Sequence, residues 1–275
     1  MRPRRPAARV ALSLLLVVLP VTSRALAQQV PLGFGVLNQQ SAVLTAERWN
    51  PILQYVSSVS GVPLRLKLGR TVQETDGMMG RGEFDFIYTN HNFQPEYDAL
   101  GYRVIARWGG EPIRCVIAVP PDSLIQGLAE LGGKRVAFPS PDAFVGYAVP
   151  IVALKQAGVG VEEAFAGNQE GALAQLKAGR VAAAAVNSRF LAQYSEREGV
   201  HFRELYTSEP YPELPIVAHP RVPGAVVEKV RKALLGMKQD PGASAILNRT
   251  KSPGFEPATD RDYEGVRRVY RLIGQ

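Results

Sequence analysis

From Leu32 onward, short apolar runs alternate with longer stretches in which apolar residues recur every three or four positions. The short runs predict strands at 32–37, 62–68, 84–88, 104–107, 114–119, 135–138, 181–186, 202–206 and 214–218. The longer stretches predict helices at 46–60, 71–80, 124–131, 143–157, 170–178, 226–237 and 260–273. In the first helix Trp49, Ile52, Leu53, Val56 and Val59 share a face, and Gly61 follows as a left-handed cap residue. This succession predicts an α/β fold with mostly parallel sheets. No repeat, heptad run or low-complexity linker interrupts it, so any two lobes are joined by short strand crossings rather than by a flexible tether.

The pattern changes character before Gln28. Residues 1–9 carry Arg2, Arg4, Arg5 and Arg9 and no acid, and an apolar run over 10–21 is broken only by Ser13 and Pro20. Ala25-Leu26-Ala27 then places small residues where a signal peptidase reads them, so 1–27 is expected to be a signal peptide and the protein to be periplasmic. The apolar run is shorter than the roughly 20 residues that a membrane-spanning helix needs. Charge follows from the same segment: without those four arginines and Arg24, the 32 basic residues fall to 27 against 25 acidic ones. The formal +7 of the whole chain therefore belongs largely to the leader, and the mature balance calls for neither nucleic acid nor an anionic membrane. A monomer is expected.

Catalytic and metal patterns are missing. His91, His201 and His219 have no metal-ligand spacing, and Cys115 alone completes no zinc motif and forms no internal disulfide. Residues 127–134 have the wrong glycine spacing for a phosphate loop, and Arg135 stands where Ser or Thr should hold magnesium. Gly33-Phe34-Gly35 lacks the third glycine of a dinucleotide fingerprint, and no Gly-x-Ser-x-Gly elbow occurs. The chain is expected to be no enzyme and to hold no cofactor or metal. Cys115 opens a strand-like run and reads as a buried apolar residue, with a cleft-facing thiol as the alternative.

Several passages, in order, resemble one family. They are Phe34-Gly35-Val36-Leu37 with Trp49-Asn50-Pro51, then Gly82-Glu83-Phe84-Asp85-Phe86, then Leu131 to Phe138 with Pro141 and Val149-Pro150. Ala178-Gly179-Arg180-Val181, Ser208-Glu209-Pro210 and Leu214-Pro215-Ile216-Val217 continue the register. Between Phe34 and Tyr270 the chain resembles the phosphate/phosphite/phosphonate substrate-binding proteins of ABC transporters. The resemblance implies a two-lobed type II periplasmic-binding fold, with a hinge and a ligand cleft between lobes. One lobe would comprise 28–112 plus 213–275 and the other 113–212, with crossings near 110–114 and 211–214.

It also implies which residues face the ligand. Phosphonate-binding relatives place Ser-Thr-Ser-Gly at a helix N-terminus, where Ala143-Phe144-Val145-Gly146 stands here, so three hydroxyls are replaced. A family histidine becomes Asn168, and family acids become Ala182, Arg189 and Leu214. With those acids gone and Arg189 gained, a cationic or zwitterionic ligand is disfavoured and a small anion, phosphate- or phosphonate-like, is expected. Strand ends and helix starts then nominate Asn38, Gln39, Tyr88, Thr89, Asn90, Ser140, Phe144, Asn168, Asn187 and Arg189 as ligand-binding residues. Asp142 reads as the N-cap of the helix that follows, and His91 as a turn residue. The partner is a membrane ABC permease or, alternatively, a sensor histidine kinase, in which case Cys115 could serve arsenite sensing.

Overall fold

The computed structural model describes residues 30–37 and 41–274, so the expected signal peptide, Asn38 and Gln39 lie outside the described residues. The first half runs β1 (Leu32–Val36), α1 (Ala42–Ser60), β2 (Leu64–Lys67), α2 (Val72–Gly80), β3 (Phe86–Tyr88), α3 (Pro95–Asp98) and β4 (Arg103–Trp108). Next come β5 (Cys115–Val119), β6 (Arg135–Phe138), a π-helical turn at Phe144–Ala148, α4 (Val149–Gln156), β7 (Glu162–Phe165), α5 (Gln169–Lys177), β8 (Ala183–Asn187), α6 (Ser188–Glu198) and β9 (Arg203–Thr207). The chain then returns through β10 (Pro215–Ala218), α7 (Gly224–Gly236), α8 (Pro241–Arg249), β11 (Phe255–Glu256) and α9 (Glu264–Ile273).

These strands form two sheets, in the orders β11-β4-β10-β3-β1-β2 and β7-β6-β8-β5-β9. Each is mixed rather than mostly parallel. β1 pairs in parallel with β2 and β3, and β6 with β7 and β8, but β10 and β5 run antiparallel to both their neighbours. β5 and β10 are also the strands that enter each sheet straight from a crossing, from β4 into β5 and from β9 into β10. The two crossings are tied side by side, with Ile113 N–H donating to the Tyr211 carbonyl and Tyr211 N–H to the Ile113 carbonyl, both at 2.8 Å.

Helix α1 starts a turn earlier than its apolar face announces. The Ser41 hydroxyl accepts from Leu44 N–H at 3.3 Å, and this cap holds a first turn whose Val43 and Leu44 are exposed. Thr45, Trp49, Ile52, Leu53 and Val56 are buried against the first sheet, and Gly61 closes the helix with φ 68°. Gly35 in β1 is required by close approach, since a Cβ there would lie 2.7 Å from the Phe84 ring. Gly35→Ala is therefore expected to cost about 2 kcal/mol by overpacking, read as a lower urea midpoint with unchanged slope.

The expected helix at 143–157 is two elements. Tyr147 and Ala148 N–H groups both donate to the Ala143 carbonyl, at 2.8 and 3.0 Å, which widens the first turn. Pro150 has no N–H for the Gly146 carbonyl, so a regular α-helix could not be completed at this point. Asp142 is not the cap: the N-cap residue is Ala143, without a side-chain hydrogen bond. Behind the turn, α9 packs on α4, with Val266 and Val269 in one apolar cluster with Val149 and Val152. Among the described residues no helix is long and apolar enough to cross a membrane.

Candidate functional site

A cleft of about 480 Å³ opens where the two sheets' loops meet. From the first-sheet side it is lined by Leu37, Val72, Gln73, Asn90 and His91. The other wall comes from Ser140, the 142–146 turn, Gly167, Gln169, Asn187, Arg189, Phe190 and Gln193, and the crossings add Ile113, Glu213 and Leu214. Four helical segments thus bring their first residues to one cavity: Val72 and Gln73 of α2, Phe144 to Gly146 of the π-turn leading into α4, Gln169 of α5, and Arg189 of α6. First-turn N–H groups lack intrahelical acceptors, and each helix start carries roughly half a positive charge.

Of the residues nominated from sequence, Asn90, Ser140, Phe144, Asn187 and Arg189 line this cleft. Asn90 Nδ2 donates to the Asp142 carbonyl at 3.3 Å, a hydrogen bond spanning the two walls. Asn187 caps α6 through Oδ1, which accepts from Arg189 N–H at 2.9 Å, and its own N–H donates to Gln169 Oε1 at 2.7 Å. Phe144 is buried, packed 4.7 Å from the His91 ring and 4.8 Å from Tyr211, so it walls the cleft instead of standing free to stack on a ligand.

The others do not reach it. Tyr88 shares a strand face with Phe86 and packs between Trp49 (5.0 Å) and Trp108 (5.3 Å) in the core, and burial pushes its phenol up. Thr89 is buried; its hydroxyl donates to Met79 Sδ at 3.4 Å and accepts from Asn92 Nδ2 at 3.1 Å. Asn168 caps α5, with Oδ1 accepting from Gly171 N–H at 2.8 Å, and its neighbours Gly167 and Gln169 line the cleft in its place. Cys115 is fully buried in β5, its thiol pushed up by desolvation, and does not line the cleft. The buried-apolar reading of this residue holds, and a cleft-facing thiol is removed from consideration.

Sequence reasoning singled out Asp142 but missed the cleft's second carboxylate. Glu213 lines the cavity together with Asp142, so the replacement of the family acids does not leave it without negative charge. Glu213 stands immediately before the Leu214 that replaces the family aspartate, and that adjacency was the available signal. Arg189 is the one cation among the described lining residues, and Glu213 is paired with it. His91 is no simple turn residue: it is 1% exposed and hydrogen-bonds the Pro212 carbonyl through Nε2 at 2.8 Å. Burial lowers its pKa to about 4, so the ring is neutral at pH 7 and adds no charge to the cleft. Among the described residues no group of three or more His, Cys, Asp or Glu is placed to hold a metal ion.

The fold recurs in solved structures. XAC2383 from Xanthomonas citri bound to ATP matches with a TM-score of 0.72 at 18% identity, covering 88% of this chain and 96% of that one. PhnD1 from Prochlorococcus marinus (MIT 9301), in complex with methylphosphonate, matches with 0.70 at 18% identity, covering 88% and 98%. SsuA from Escherichia coli, a periplasmic aliphatic sulphonate-binding protein, matches with 0.59 at 15% identity, covering 89% and 91%. Likeness at these identities carries the fold, a type II periplasmic-binding architecture. The family is carried by a sequence model, "ABC transporter, phosphonate, periplasmic substrate-binding protein", which matches residues 34–263. The chain belongs to this family of periplasmic substrate-binding proteins of ABC transporters, a family of binders and not of enzymes.

Proposed function

We propose that the cleft captures a small oxyanion-bearing ligand, phosphonate-like in size and charge, and presents it to an ABC permease. The observation that carries this reading is the convergence of four helix starts on one cavity that also contains Arg189. Fixed N–H dipoles at helix starts favour negative charge without needing the hydroxyls that relatives use. Ser140 and the carboxamides of Gln73, Gln169 and Gln193 supply further donors around the same cavity. PhnD1, which shares the fold, is solved with methylphosphonate.

A thermal-shift panel on the chain from Gln28 onward tests it, with phosphate, phosphite, methylphosphonate, sulfate, small carboxylates and amino acids. A true ligand at 100 times its dissociation constant adds ~2.7 kcal/mol of stability, a readily visible shift. A selective rise with one oxyanion, reduced at least tenfold in affinity by Arg189→Ala, is expected. A flat response to every anion would overturn the reading.

A further inference from the structure

Arg189 is not waiting for a ligand. It sits in the first turn of α6, and its Nη2 donates to the Glu111 carbonyl at 3.0 Å and to Glu213 Oε1. Glu111 belongs to one crossing and Glu213 to the other, so a side chain from the second-sheet half grips both strands of the hinge. The partners differ in exposure: the Glu213 side chain is 9% accessible and that of Arg189 47%. Glu213 has no other cationic partner among the described residues, and Asp142, also in the cleft, forms no ion pair among them. The single cation among the described lining residues is therefore already neutralised, through one Nη2–Oε1 contact with a carboxylate, the same charge a ligand carboxylate or phosphonate would offer it.

We infer that Glu213 is the specificity-determining residue of the cleft, an internal carboxylate that competes with the ligand's oxyanion for Arg189. This deepens the proposed anion capture and rests on it. An incoming anion must take the guanidinium away from Glu213 or share it at short range with a second negative charge. Weakly bound inorganic anions are thereby excluded, while a ligand with many additional contacts can still displace the carboxylate. The same exchange frees Arg189 from both crossings, so ligand engagement and the hold on the hinge use one side chain.

The test is a set of dissociation constants for methylphosphonate and for its uncharged dimethyl ester. Both are measured by calorimetry on wild type, Glu213→Gln, Arg189→Ala and the double variant. Glu213→Gln keeps the shape and removes the charge, and methylphosphonate is expected to bind it at least tenfold tighter. The ester should be unaffected, and the double variant should bind methylphosphonate more weakly than Glu213→Gln alone, because the guanidinium that the substitution frees is then gone. Tightening of ester and anion alike would mean that the variant only loosens the hinge, and would overturn the inference. So would an unchanged or weakened affinity for methylphosphonate in a wild type that binds it. Binding by neither wild type nor Glu213→Gln would bring down the anion reading itself, and this inference with it. Should Glu213→Gln fail to fold, Glu213→Asp, which withdraws the carboxylate by one methylene, is expected to give a smaller gain in the same direction. No gain there overturns the inference.

Discussion

Replacing Trp49 with alanine is expected to remove about 4 kcal/mol of folding stability. The side chain is 3% exposed and is surrounded by rings: Tyr88 at 5.0 Å, Phe34 and Trp108 at 5.6 Å, and Phe255 at 6.1 Å. These rings come from β3, β1, β4 and β11, so Trp49 joins α1 to four strands of the first sheet. Truncation leaves a cavity whose lining is held by the sheet's own hydrogen bonds and cannot collapse into it. Urea unfolding followed by circular dichroism should show a midpoint lower by roughly 1 M. Val43→Ala, on the exposed first turn of the same helix, should change stability by less than about 0.5 kcal/mol. A loss below 1 kcal/mol for Trp49→Ala would show that the ring cluster repacks and is not the anchor described.

The second large effect is one of pH. In the unfolded chain His91 takes up a proton below about pH 6.5, whereas in the fold its pKa is lowered to about 4. Protons in that interval bind the unfolded state preferentially, so the stability held at pH 7 drains away as pH falls from about 6.5 to about 4. The full difference amounts to ~3 kcal/mol. The physical cause is desolvation between the Phe144 and Tyr263 rings, with the Pro212 carbonyl opposing it only in part. Carboxylates titrate over the same range, so the quantity to compare is the pH profile of wild type against His91→Gln. The variant's profile should be flatter by about 3 kcal/mol between pH 7 and 4, and parallel profiles would refute the assignment.

How much of this was legible depended on whether the determining contact lay along the chain or across it. Strands β1, β3, β5, β6 and β10 announce themselves by continuous apolar runs, because both faces of those sheets are covered. β7 does not, since at the edge of its sheet only Ala164 of Glu162–Phe165 is buried. Helix α6 buries only Leu191 and Tyr194, and α8 only Ala243 and Leu247, too few residues to define a helical period. Tyr88 was misassigned although the period of two already set it on the face of Phe86. Asn168 was assigned to the ligand when its type and position fit an N-cap equally well. The Arg189–Glu213 pair is different in kind, because residues 24 apart meet only when α6 and the crossing come together.

The burial of Cys115 has a practical corollary. It is the only thiol in the chain, and desolvation keeps it protonated, the form that does not attack maleimides or disulfide reagents. A cysteine introduced at exposed Val59 on α1 or at exposed Leu124 near β5 will therefore be labelled without competition from the native residue. With a fluorophore at each, the separation of the two halves becomes a distance that energy transfer can follow in real time, with no background mutation needed first.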